Sequence, residues 1–159
     1  MLVAVTGASG LIGTALVRRL HEEGHQALRL TRSRPTEPDQ VHWDPAAGEL
    51  DPDALAKADA VVHLAGKNIG DQLRWTARTK RDLVLSRLQG TDLVATTMAA
   101  LAGGGGGPGV LVCASGVHFY GDRGDEVLTE ASSGGQGFLA DLVRRWEAAA
   151  DPARAAGLR

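Results

Sequence analysis

The chain has 159 residues, of which 43% are hydrophobic and 23% are charged, and its formal net charge is −2 at pH 7. This length suits one domain with a proper core, and the composition is ordinary for a soluble globular protein. The charges are spread along the chain without the basic run of a nucleic-acid binder, and no apolar stretch reaches the roughly 20 residues of a membrane-spanning helix. We therefore expect no nucleic-acid partner and no membrane partner.

The single cysteine and the N-terminal segment predict a cytoplasmic location. Cys113 lies inside an apolar strand pattern. As the only cysteine it excludes an internal disulfide framework, which suits a reducing compartment. Residues 1–5 are apolar and lead directly into a glycine turn, whereas a signal peptide needs a charged lead, a longer apolar run and a small-residue cleavage site. We expect this first segment to be a buried strand.

Apolar segments alternate with helical patterns along the whole chain. The predicted strands are Leu2–Thr6, Gln26–Thr31, 41–43, 60–65 and 110–114, and the predicted helices are 11–23, a short one that begins at Pro52, 71–101 and 137–149. Strands separated by helices of ten or more residues pair in parallel through right-handed crossovers. We therefore predict an α/β fold with a doubly wound parallel sheet of the Rossmann type. Its expected strand order is 3-2-1-4-5, with the topological switch point between the first and fourth strands.

The turn between the first strand and the first helix has three regularly spaced glycines. Gly7 permits a tight turn, Gly10 lets a pyrophosphate approach the backbone, and Gly13 allows the helix to pack closely on the sheet. The free N–H groups and the dipole of the helix then favour phosphate. The alternative is a glycine turn that holds no ligand. The candidate cofactor-binding residues here are Gly7, Ala8, Ser9, Gly10, Leu11 and Ile12.

The end of the second strand predicts which dinucleotide is bound. NAD sites place an acid about 20 residues after the glycine turn, whereas an arginine there accommodates a 2′-phosphate. The chain has two guanidiniums and two hydroxyls in this segment and no acid before Glu37. We therefore predict NADP(H), with a solvated basic loop as the structural alternative and another nucleotide, such as S-adenosylmethionine, as a less favoured ligand. The predicted phosphate ligands are Thr31, Arg32, Ser33 and Arg34.

Short motifs beyond the glycine turn make the chain similar to a known family. They are Trp43-Asp44-Pro45, Leu64-Ala65-Gly66, Arg74-Trp75, Ser86-Arg87, Gly90-Thr91, Tyr120-Gly121-Asp122, Gly137-Phe138-Leu139 and Trp146-Glu147. Together they resemble the extended short-chain dehydrogenases/reductases of the NAD-dependent epimerase/dehydratase superfamily, and within it the atypical subgroup called epimerase family proteins. The resemblance covers the whole chain. It implies that residues 1–159 form an NADP(H)-binding domain at the start of a longer protein that continues into further strands and a substrate-binding subdomain.

The resemblance also implies further cofactor contacts. The end of the second strand would hold the 2′-phosphate, and the turn after the fourth strand would line the ribose and pyrophosphate. A cation on the long helix would reach the phosphates or the nicotinamide ribose, and the end of the third strand would contact the adenine edge. A capping aspartate or an ion-paired arginine is the structural alternative for the helix and third-strand positions. The implied residues are Thr31, Arg32, Leu64, Ala65, Gly66, Asp82, Arg87 and Asp44.

The catalytic dyad of the resembled superfamily is absent. Ordinary members use Tyr-x-x-x-Lys, in which the tyrosine transfers a proton and the lysine lowers its pKa. Phe138 and Leu142 occupy the corresponding positions here. The candidate catalytic residues are therefore Ser115, His118 and Tyr120 after the fifth strand, although Tyr120 also suits a structural turn and His118 a surface position.

Two functions follow from these observations. The first is an NADP(H)-dependent oxidoreductase or nucleotide-sugar epimerase that acts on an unidentified small molecule. The second is a catalytically inactive NADP(H)-binding sensor or scaffold, which the missing dyad favours. The five histidines and one cysteine show no metal-ligand spacing, so no metal is expected. We predict that Trp43, Trp75 and Trp146 are packing anchors, in preference to the alternative of stacking platforms for bases.

Overall fold

The computed structural model of the chain describes residues 1–70 and 74–159. A six-stranded sheet runs in the order β4-β3-β2-β1-β5-β6. The strands are β1 (Leu2–Thr6), β2 (Gln26–Thr31), β3 (Gln40–Asp44), β4 (Glu49–Leu50), β5 (Ala60–His63) and β6 (Val110–Cys113). The helices are α1 (Leu11–Glu22), α2 (Pro52–Leu55), α3 (Ala77–Gly103), α4 (Phe138–Ala148) and α5 (Asp151–Ala155), with a 3₁₀ turn at Val117–Tyr120.

The predicted fold class is confirmed, and the strand order differs in one detail. The five predicted strands pair in parallel in the predicted order. The additional strand β4 pairs antiparallel with β3 at the edge of the sheet. Asp44 reverses the chain there, because its carboxylate accepts hydrogen bonds from the backbone N–H groups of Ala46 and Ala47. A two-residue strand has no hydrophobic period, so the sequence pattern did not indicate it.

The long helix α3 begins later than its sequence pattern suggested. Thr76 is the N-cap, since its hydroxyl accepts a hydrogen bond from the N–H of Thr79 at 3.1 Å. The preceding residues 74–76 are therefore not helical, and the rest of the expected first turn, residues 71–73, lies outside the described residues. In the described ranges, no helix is both long and apolar enough to cross a membrane.

A cluster of buried apolar side chains joins the sheet to α3. Its members come mostly from four strands and two helices and include Ala4, Leu30, Trp43, Val61 and Met98. Trp43 is 2% exposed and Trp146 is 7% exposed, so both are packing anchors as predicted. The same prediction is wrong for Trp75, which is 43% exposed and contacts the ring of Phe138.

A glycine-rich connector joins α3 to β6 at residues 104–109. A Cβ atom placed on Gly106 would have no heavy atom within 4 Å. Pro108, by contrast, is fully buried and precedes the edge strand. The connector enters β6 at the amino end of that strand.

Candidate functional site

Two turns meet where β1 and β5 end side by side in the sheet. Gly7, directly after β1, has a φ of +68°, which a residue with a side chain rarely adopts. A Cβ atom on Gly7 would lie 3.0 Å from the backbone of Leu64 and of Ala65, in the turn after β5. The strand order changes direction between β1 and β5, which is where doubly wound sheets bind ligands. The predicted switch point is therefore built from closely packed backbone.

Helix α1 begins immediately beside this contact. A Cβ atom on Gly13 would lie 2.2 Å from the carbonyl oxygen of Gly7, so only glycine lets the first turn of α1 approach the loop. The N-cap, Gly10, makes no side-chain hydrogen bond to the helix. The first turn of α1 includes Leu11 and Ile12, which are exposed. The first N–H groups of a helix have no hydrogen-bond partner within the helix. A cleft of about 350 Å³ adjoins this turn. The arrangement fits a phosphate group on the helix axis.

Thr6 holds the turn after β5 in place. Its hydroxyl oxygen accepts hydrogen bonds from the backbone N–H groups of Leu64 at 3.1 Å and Ala65 at 3.2 Å. Thr6 is fully buried and is the last residue of β1. None of the sequence motifs pointed to Thr6. The available signal was its position directly before the first glycine of the turn.

The predicted 2′-phosphate ligands lie together at the carboxyl end of β2. Arg32, Ser33 and Arg34 are exposed, and the backbone N–H of Ser33 donates to the hydroxyl of Thr31 at 3.2 Å. Within residues 1–70 and 74–159, neither arginine side chain has a hydrogen bond or an ion pair. The two guanidiniums are therefore available to a ligand.

The nearby acids are already paired. Arg29 on β2 binds the carboxylate of Asp39 at 2.6 Å and that of Glu37 at 2.7 Å. The hydrogen bond from Arg29 lowers the pKa of Asp39, so this carboxylate stays ionised. Glu37 is the first acid after β2, and its carboxylate accepts a hydrogen bond from Arg29.

Arg87 on α3 is a buried cation next to the turn after β5. It is 7% exposed, and a Cβ atom on Gly66 would lie 3.7 Å from its guanidinium carbon. The guanidinium donates to the carbonyl of Leu83 at 3.2 Å and lies 5.1 Å from the centre of the Trp146 ring. Burial lowers the pKa of Arg87. No carboxylate lies within 4 Å of it in the described part of the chain, so Arg87 fits an anionic ligand.

The two aspartates that the resemblance implied have protein partners. Asp82 accepts a hydrogen bond from the ammonium of Lys67 at 3.0 Å, and this contact lowers the pKa of Asp82. Asp44 is half-buried and bonds the turn between β3 and β4. Their roles in cofactor binding stay predictions.

Helix α4 carries neither a tyrosine nor a lysine in any register. Phe138 lines a cleft of about 500 Å³, where the ammonium of Lys80 lies 5.2 Å from its ring centre and Trp75 meets it edge to face. Leu142 is 1% exposed and packs in the core. The position corresponding to the dyad lysine is therefore filled by a packing residue.

The three candidate catalytic residues have different surroundings. His118 is exposed and lines the same cleft as Phe138. Ser115 donates a hydrogen bond to the carboxylate of Glu147 near the end of α4. Tyr120 is half-buried, with its ring centre 5.2 Å from that of Phe119. Of the three, His118 has a position from which it reaches a molecule in the cleft.

Comparisons with known proteins agree with this geometry. The sequence model of the NAD dependent epimerase/dehydratase family matches residues 3–136. An epimerase family protein of Mycobacterium bovis is 42% identical over 158 residues, which cover 99% of this chain and 50% of that protein. The human epimerase family protein SDR39U1 is 37% identical over 152 residues, which cover 94% of this chain and 49% of that protein.

Two solved structures are similar over nearly the whole chain. A nucleoside-diphosphate sugar epimerase from Corynebacterium glutamicum has a TM-score of 0.86 and 39% identity, and the match covers 100% of this chain and 32% of that one. The human SDR39U1 structure, which was solved with NADPH, has a TM-score of 0.78 and 34% identity, and the match covers 94% of this chain and 48% of that one. The chain spans about half the length of the curated relatives it matches.

Proposed function

This chain belongs to the NAD dependent epimerase/dehydratase family, and from that premise we propose that its residues 1–159 form one domain that binds NADP(H) between β1 and β5. The observation that carries the choice of NADP(H) is the distribution of charge after β2. Arg32 and Arg34 have no partner in the described part of the chain, whereas Arg29 binds the acids Glu37 and Asp39. Two free guanidiniums favour a 2′-phosphate over the 2′-hydroxyl of NAD. The NADPH in the human relative's structure supports the same choice.

The remaining contacts suit the other parts of the dinucleotide. The N–H groups in the first turn of α1 would bind the pyrophosphate, since the glycines there leave the backbone open. Gly66 and Arg87 would lie on the other side of the crevice. There the buried guanidinium would bind a phosphate or an oxygen of the nicotinamide ribose with little competition from water.

For the reaction, we propose an oxidoreductase or nucleotide-sugar epimerase activity of the whole protein on an unidentified small molecule. The nicotinamide, when bound, supplies hydride transfer. The chain's own part is to hold the cofactor and to move a proton at the cleft beside Phe138. His118 is the titratable candidate there, with Ser115 and Tyr120 as further candidates.

A second function is favoured by α4. Its lack of both tyrosine and lysine removes the usual proton donor, and Leu142 is committed to the core. A protein with an intact cofactor site and no proton donor would serve as an NADP(H) sensor or scaffold. A screen of carbonyl substrates separates the two functions. NADPH oxidation supports the enzyme, whereas thermal stabilisation by NADPH without turnover supports the sensor.

The cofactor proposal is tested by titrating the protein with NADPH and with NADH and following fluorescence. We expect tighter binding of NADPH by one to two decades, because a charge-assisted contact to phosphate contributes about 1.5–3 kcal/mol. Arg32→Ala should remove a large part of this preference, since Arg34 remains, and leave the NADH affinity nearly unchanged. Arg145→Ala, which removes an exposed arginine on α4, is the matched control. Equal affinities for the two cofactors in the wild type would reject the proposal.

A further inference from the structure

We infer that His42 is a third cationic ligand of the 2′-phosphate and makes the preference for NADP(H) over NAD(H) increase as the pH falls. This inference rests on the proposed function, since it adds a residue to the phosphate site at Arg32 and Arg34. Neither the sequence motifs nor the family resemblance pointed to His42.

The sheet places His42 beside the phosphate segment. In the parallel pairing of β2 and β3, His42 is the register partner of Thr31. Side chains alternate along a strand, so His42 and Thr31 share one face while Trp43 points to the core on the other. His42 is exposed, and its Nδ1 lies 3.5 Å from the carbonyl oxygen of Ser33. The imidazole therefore lies against the turn that carries both free arginines.

Among the residues that the structure describes, no carboxylate forms an ion pair with His42. On β2, Arg29 is neutralised by Glu37 and Asp39. On β3 itself, Asp44 uses its carboxylate to bind the turn that follows. The remaining charged groups on the neighbouring segments are Arg32 and Arg34 after β2, Glu49 on β4 as the register partner of Asp44, and Asp51, which caps α2.

The orientation of the His42 ring determines which ring nitrogen takes up a proton and so becomes a donor to the phosphate. If Nδ1–H points to the Ser33 carbonyl, the neutral ring has its lone pair on Nε2. Protonation at Nε2 then creates a second, charged donor on the ring. A phosphate held by Arg32 and Arg34 would accept from it. Histidine side chains ordinarily change charge near neutral pH, and a phosphate monoester stays mostly dianionic above about pH 6.5. A proton taken up at Nε2 over this range would meet a phosphate that is still mostly dianionic.

The test is the ratio of NADH to NADPH dissociation constants at pH 8.0 and at pH 6.5. NADH lacks the 2′-phosphate, so proton-linked effects on the rest of the site cancel in the ratio. We expect the wild-type ratio to rise about three- to tenfold over this range, as for one added charge-assisted contact at an exposed site. In His42→Asn the ratio should stay constant. His25→Asn, at the opposite end of β2, should behave as the wild type.

The outcomes separate this inference from the proposed function. A preference for NADPH that does not change with pH in the wild type would overturn the role of His42 and leave NADP(H) binding intact. An equal rise in the wild type and in His42→Asn would overturn it as well. The absence of any preference at both pH values would overturn both proposals. Melting temperatures of the variants, with His42→Gln as a second substitution, exclude a loss of folding as the cause.

Discussion

Thr6 and His63 lie opposite each other on β1 and β5, and the hydroxyl oxygen of Thr6 is 2.8 Å from Nδ1 of His63. That oxygen already accepts two backbone N–H groups, so the single hydroxyl proton is donated to Nδ1. The neutral imidazole therefore has its proton on Nε2. Within the described residues Nε2 has no hydrogen-bond partner. Burial lowers the pKa of His63 to about 4.

This relationship predicts acid-sensitive stability. The pKa of His63 is lower in the folded chain than its ordinary value of 6.5, so the unfolded state takes up the proton first as the pH falls. The free energy of unfolding should therefore decrease between pH 6.5 and pH 4, by about 3 kcal/mol from this residue. Urea denaturation at a series of pH values measures it.

His63→Asn should remove most of that decrease, and His21→Asn, which changes an exposed histidine on α1, should not. If the wild type and His63→Asn lose stability in parallel as the pH falls, the buried histidine is not the group responsible.

Gly13→Ala should disrupt the cofactor turn. Its Cβ would lie 2.2 Å from the Gly7 carbonyl oxygen, and backbone atoms cannot move aside cheaply. We expect a loss of at least about 1–3 kcal/mol in unfolding free energy together with weaker cofactor binding. Gly106→Ala, in open space, is the matched control. Equal melting temperatures for the two variants would show that α1 is free to move away from the turn.

Arg87→Met should weaken NADPH and NADH binding by the same factor, about 10- to 100-fold, because the lost contact does not involve the 2′-phosphate. Calorimetry with both cofactors measures it. Arg87→Lys keeps the charge and loses the forked geometry, so it should restore part of the affinity. An unchanged affinity in Arg87→Met would mean that the guanidinium serves only to pack on Trp146.

The least direct prediction concerns turnover. If the protein is an enzyme, His118→Asn should lower kcat by about 10²-fold or more while NADPH binding persists, since general acid–base catalysis contributes on this scale. Ser115→Ala and Tyr120→Phe test the other two candidates. A robust turnover that survives all three substitutions would place the proton donor outside this set.

The parts of the site that were predictable depend on local constraints. Gly7 follows a strand and Gly13 lies in the first turn of the next helix. The lack of a side chain matters at both positions because of contacts within the same turn or its neighbour. The apolar runs of the strands likewise report burial directly. The parallel sheet, the glycine turn and the arginines after β2 could therefore be predicted from the sequence.

What sequence reasoning missed depends on contacts between distant residues. The pairing of Lys67 with Asp82, of Ser115 with Glu147 and of Thr6 with His63 joins residues 15 to 57 positions apart. No local period indicates which charged group has a partner and which is free. The short β4 and α5 were missed because two and five residues are too few to show a pattern.

The glycine connector between α3 and β6 makes one part of the chain tolerant of insertion. It lies at the amino end of β6, whereas the crevice lies at the carboxyl ends of β1 and β5. Because these strands are parallel, the connector and the crevice are at opposite ends of the strands. Closing a longer loop costs only about 0.6 kcal/mol for each doubling of its length. A peptide tag or reporter domain inserted beside Gly106 would enter open space, and we expect it to leave the turns after β1 and β5 undisturbed.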